Sequence, residues 1–165
     1  MSGPSTLPRA RAITVDVTSQ LVDAPAESTL GAVEDALAGE GLTLALGGAL
    51  PRDETVASFV EAGAPGAPSP FSDPADHLLA GLVAVGLRGD RLVVKPAPRR
   101  SVGPDLVALV HGQGGRFFRL ESVWLRAWPI PGVRPSIEHA VRPDPPLGDD
   151  ERRLLDRVDE ALRAR

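Results

Sequence analysis

Three β-forming runs crowd the segment between Leu78 and Trp128, and they restrict the fold more than any other feature of the chain. Leu78 to Leu87 and Arg91 to Val94 are apolar and separated by Arg88-Gly89-Asp90, a hairpin signal. Phe117 to Trp128 is rich in β-forming residues and follows a Gly-rich turn, His111-Gly112-Gln113-Gly114-Gly115. Its alternation is imperfect, which predicts a bulge. The first two runs, joined by a turn too short for a crossover helix, predict an antiparallel hairpin.

The rest of the chain supplies helices to cover such a sheet. Ile13, Val15 and Val17 alternate with Thr14, Asp16 and Thr18, the period of a half-buried strand, and Leu21-Val22 begins another that Pro25 closes. Ser28 or Thr29 can cap a helix with Leu30, Val33 and Leu37 on one face, stopped by Gly39 and Gly41. Leu42 to Leu46 reads as a short strand before Gly47-Gly48. Asp53 is the predicted cap of a second helix carrying Val56, Phe59 and Val60, which must end before the loop 63–68. Another helix is expected from Pro104 or Asp105 to about Val110, with proline favourable at its first position. The expected architecture is α+β, a mostly antiparallel sheet with helices on one face.

The expected organisation is a loose lead-in at 1–12, one α+β domain at 13–129, a Pro-rich connector at 130–148 and a C-terminal helix at 149–165. Prolines 129, 131, 135, 143, 145 and 146 keep the connector extended. In the closing helix, Asp149, Asp150 and Glu151 sit at the positive end and Arg163 and Arg165 at the negative end. Leu154, Leu155, Val158 and Leu162 share one side and predict docking on the domain or on a partner subunit.

Composition excludes several functions. At 165 residues a single domain buries roughly two thirds of its unfolded surface, so it needs neither disulfides nor metal for stability. The chain has no cysteine, so thiolate nucleophiles and Cys-ligated metal clusters are excluded within it. A net charge of -4 offers no basic field for nucleic acid or anionic lipid, and neither partner is expected. Of 18 basic residues 17 are arginine, scattered along the chain, which fits a GC-rich genome. Nowhere do 18 apolar residues run together, and the first dozen residues lack a signal-peptide core, so a cytoplasmic protein is expected.

The order of these segments resembles the FAD-binding domain of the vanillyl-alcohol oxidase and p-cresol methylhydroxylase family, FAD-linked oxidases, from about Ile13 to Pro129. Its nearest likeness is to glycolate-oxidase-type flavin subunits. Thr29-Leu30 through Gly41-Leu42-Thr43-Leu44 is similar to the family pattern T-L-x-x-x-x-x-x-L-x-x-x-G-L-x-L. Thr55-Val56 to Gly66 matches T-V-G-G-L-L-A-T-N-A-S-G without a gap. Asp76-His77-Leu78-Leu79 matches D-H-V-L, and Gly103-Pro104-Asp105-Leu106 to Gly115 resembles G-Y-D-L-x-x-L-x-x-G-S-E-G. The resemblance implies the second subdomain of that flavin domain as the fold and FAD as the cofactor. It implies cofactor contacts at Ala64, Gly66, Gly112 and Gly115.

The departures fall where the resemblance would place the flavin. Ala62, Gly63 and Pro65 stand at the T, N and S positions of A-T-N-A-S-G, which removes side-chain donors and, at Pro65, a backbone N–H. Phe71-Ser72 replaces Y-G. Phe118 stands at a glycine position, and Arg116 is expected to project into the same groove. Only about a dozen residues precede Ile13, too few for the family's first subdomain with its pyrophosphate-binding glycine turn. The expectation is therefore a truncated FAD-domain-like subunit that binds FAD weakly or not at all alone. It would associate with a larger flavoprotein or iron–sulfur oxidoreductase subunit of the 2-hydroxy-acid type, or form homo-oligomers. Two alternatives stay open: a genuine FAD-binding oxidoreductase subunit with an altered or shared site, and a small-molecule-binding or structural module reusing the fold.

Other chemistry finds little support. His77, His111 and His139 lie far apart, with no spacing that sets two imidazoles on one metal, and no metal is expected. His77 reads as structural, and His111 adjoins the glycine turn. That turn lacks the Lys-Ser/Thr of a P-loop. No G-x-S-x-G elbow is present, and the catalytic residues are not identified. Trp124 and Trp128 are expected on one face of a regular strand, filling the core or anchoring an interface.

Overall fold

The structure is a computed structural model that describes residues 12–46, 50–63, 78–96, 106–130 and 149–163. Among these residues, five strands form one antiparallel sheet in the order β1-β2-β6-β4-β5: β1 (Thr14–Asp16), β2 (Leu21–Pro25), β6 (Phe118–Arg126), β4 (Leu79–Gly86) and β5 (Arg91–Val94). A second ladder pairs β3 (Leu42–Thr43) with β7 (Trp128–Pro129). Helices α1 (Leu30–Ala38) and α2 (Val56–Glu61) supply the apolar cover, and α3 (Asp149–Arg163) closes the chain. The α+β class expected from the sequence is the one observed.

One face of the sheet carries the core. Val22 and Ala24 of β2 stand opposite Leu125 and Val123 of β6, and Leu82 of β4 faces Val123 from the other side. Against them pack Leu30, Val33 and Leu37 of α1 and Val56, Phe59 and Val60 of α2, all buried. Each fully buried side chain of this kind stabilises by about 1.5–3 kcal/mol relative to leaving it in water. The register of β4 with β6 shifts between Val83↔Ser122 and Ala84↔Leu120, so Glu121 is the extra residue of the expected bulge.

Both helices begin on threonine. Thr29 and Thr55 hold extended backbone, and their hydroxyls accept from the amides of Ala32 and Ser58 at 3.2 and 3.1 Å. The expectation of Asp53 as the second cap is corrected: Asp53 lies in a turn two residues before the observed cap, Thr55. The carbonyls of Arg52 and Glu54, flanking it, accept from the amides of Gly31 and Leu30. In return the amides of Val56 and Ala57 reach the carbonyls of Ser28 and Ala26 at 2.8 Å. The two helix starts thus satisfy each other around the Thr29↔Thr55 bridge.

Three other expectations shift. The strand read at Leu42 to Leu46 pairs only over Leu42–Thr43, because Ala45 at φ 57 turns the chain away while Glu34 of α1 accepts from the Thr43 hydroxyl and, at 2.9 Å, from the Leu44 amide. The helix expected to reach Val110 is a single 3₁₀ turn, Leu106–Leu109; Pro104 and Asp105 lie outside the described residues. The two tryptophans do not share a face: Ala127 breaks the strand with its amide on Gln20, leaving Trp124 on the non-core side and Trp128 against the core.

Candidate functional site

The glycine turn singled out in the sequence docks on the C-terminal end of α2. The 3₁₀ turn delivers the chain there: the amides of Val110 and His111 both bond to the carbonyl of Val107 at 2.9 Å. Gly112, Gly114 and Gly115 then take φ of 72, 58 and 72°, the left-handed region that a side chain makes costly. This backbone lets Gly112 donate to the carbonyl of Val60 at 3.1 Å and Gly114 to that of Glu61 at 2.9 Å. The last carbonyls of α2, which have no partner within the helix, are satisfied from outside.

A side chain completes the arrangement. Glu61 is half-buried and accepts from the amide of Leu120, at the start of β6, at 3.2 Å through Oε1. Its Oε2 lies 3.3 Å from where a Cβ on Gly115 would be, so Gly115 is required for space as well as for φ. Glu61 therefore ties helix, turn and strand together. Sequence reasoning missed it, although a signal existed: a carboxylate in the last turn of a helix opposes the macrodipole and needs a specific partner to be there.

Of the expected cofactor contacts, Gly112 and Gly115 come together in this turn. Ala64 and Gly66 lie outside the described residues, as do Pro65, Phe71, Ser72, His77 and His139. Two nearby side chains expected to intrude on a flavin groove have other occupations. Phe118 lays its ring over Gly86 of β4, where a Cβ would approach the ring to 3.2 Å, and it packs on the core. Arg116 stands 5.5 Å from the centroid of Phe117 and pairs with Asp156 of α3 at 2.7 Å.

The described residues of this site do not fit a dinucleotide phosphate. The amides of Gly112 and Gly114 are committed to α2, and what the turn meets is a carboxylate and the negative end of a helix. A phosphate charge brought to about 4 Å from Glu61 would be repelled by about 4 kcal/mol at an effective dielectric of 20. No group of three or more His, Asp or Glu among the described residues could hold a metal ion. No described helix is long and apolar enough to cross a membrane.

No family model matches the chain, and no curated protein sequence matches it. Among solved structures it is similar to alkyldihydroxyacetonephosphate synthase in two crystal forms, each with a TM-score of 0.56. Identity is 14% and 13%, and the likeness covers 70% of this chain. The chain spans 20% and 21% of the length of those structures, about a fifth. The likeness is one of fold alone: an α+β domain shared with these structures at low identity.

Proposed function

We propose that this chain is a flavin-oxidase-like module that does not hold FAD by itself and serves a larger flavin-dependent oxidoreductase of the 2-hydroxy-acid type, as an assembly piece or by completing the partner's site. The observation that carries this reading is the commitment of the glycine-turn amides to α2, with Glu61 beside them. A scaffold of this fold persists while the donors that would face a phosphate serve the chain's own packing. The fold likeness supports the flavin-oxidase ancestry, and the departures at Ala62, Gly63 and Phe118 support the loss of cofactor grip.

Affinity purification of the tagged chain from its own host tests the proposal. The expected eluate contains a second, larger chain at fixed stoichiometry, with the flavin absorbance following that chain on separation. A single folded chain without a flavoprotein would overturn the assembly reading. A single chain that is itself yellow would replace it with a genuine FAD-binding subunit.

A further inference from the structure

The last helix meets the glycine turn through a charged contact. Asp156, in the middle of α3, sets its Oδ1 2.7 Å from the guanidinium of Arg116, the residue directly after Gly115. The two partners are held very differently. The Arg116 amide bonds to the Gln113 carbonyl at 3.0 Å, and its guanidinium lies 5.5 Å from the centroid of the buried Phe117 ring, a distance at which cation and ring attract. The Arg116 side chain is 33% exposed, that of Asp156 74%. The cation is thus fixed to the domain, whereas the carboxylate rides on a helix that stands largely in solvent. Among the described side chains of α3, Arg152, Arg153, Asp156, Arg157 and Glu160 are exposed and Val158 is half-buried.

Such an attachment is reversible. An ion pair open to water gains little over solvation, and salt screens it. A helix of 15 residues is itself marginal in water without tertiary contacts, so loss of the contact loosens the helix as well. Within α3 the Arg152–Asp149 pair, at 3.6 Å, supports the helix but not its place on the domain. Release leaves an asymmetric result: Arg116 stays where Phe117 and the turn hold it, with its charge open to another carboxylate. We propose that α3 is a releasable strap on the glycine turn, with Asp156 occupying Arg116 while the strap is closed and an acidic group of an assembling chain taking its place when it opens. The module is then autoinhibited, because Asp156 must leave before a partner can use Arg116. The incoming acidic group rests on the assembly reading above; the strap does not.

The test is hydrogen exchange of the full chain, read over the amides of α3 with those of α1 as internal reference. Arg116 lies outside α3, so an effect of Arg116→Gln there reports the contact and not helix propensity; exchange of α3 should speed up about threefold to fivefold. Raising NaCl from about 0.01 M to about 1 M, which shortens the screening length from about 30 Å to about 3 Å, should do the same to the unmodified chain and little to Arg116→Gln. Arg116→Asp and Asp156→Arg should each speed exchange, and the two together should restore the slow rate. Hexaglutamate at low salt, standing in for the acidic group, should speed α3 exchange saturably in the unmodified chain and not in Arg116→Gln. An α3 rate indifferent to Arg116→Gln or to salt would overturn the strap. A rate that follows both but ignores hexaglutamate would overturn the replacement of Asp156 by an incoming acidic group. No flavoprotein is present in this assay, so neither outcome depends on the assembly reading.

Discussion

Gly81 has no room for even a methyl group, since backbone atoms of Val94, Lys95 and Pro96 lie 2.5–3.0 Å from where a Cβ would stand. Gly81→Ala should therefore lower stability by about 1–3 kcal/mol, read as a shift in the urea midpoint at constant slope. Glu61 is the other residue on which much depends. Glu61→Ala leaves the Leu120 amide without its acceptor and should cost about 1–3 kcal/mol, whereas Glu61→Gln keeps an oxygen at that position and should cost less. Equal losses in the two variants would mean that charge, and not the acceptor, is what matters there. Asp16 gives a pH signature. The Ser19 hydroxyl first, and then its amide, hold the Asp16 carboxyl below its ordinary value of 3.8. A depressed folded-state pKa contributes stability that is present above that value and lost as the pH falls through the folded one. Carbon-detected NMR titration should show Asp16 titrating below 3.8, and Ser19→Ala should move it upward.

The N-terminal turns of α1 and α2 form a unit that neither helix could make alone. Four amides at these first turns bond to carbonyls from the segment leading into the other helix, with Thr29 and Thr55 capping in parallel roles. Thr29→Ala and Thr55→Ala should each cost about 1 kcal/mol in denaturant unfolding. Because the two residues form one bridge, the double variant should depart from the sum of the singles. Local signals located both helices, the hairpin β4–β5 and the bulge in β6, since each rests on apolar spacing together with nearby cap, turn and glycine residues. They misplaced what tertiary contacts decide. Asp53 is as good a cap by type as Thr55, and only the pairing of the two helix starts selects Thr55. The shortness of β3 follows from Glu34 drawing Thr43 and Leu44 toward α1, a contact spanning ten residues that strand propensity does not register. Trp124 and Trp128 are separated by a break at Ala127 that an apolar run conceals.

At the scale of the molecule, the fold and the site were legible to different degrees. The order of segments from Ile13 to Pro129 pointed to the fold, and the likeness in structure extends over 70% of the chain. The candidate site was only half readable. Gly112 and Gly115 announced a turn, but a glycine turn that receives a phosphate and one that caps a helix look the same in sequence. The difference lies in Glu61 and in the carbonyls of Val60 and Glu61, which are fixed by how α2 meets β6. The claim on which the functional reading turns is that this chain's own groups occupy the donors a dinucleotide would need. Titrating the purified chain into FAD while following flavin fluorescence tests it directly. Unchanged emission and a colourless protein are expected, and saturable quenching at one FAD per chain would contradict it.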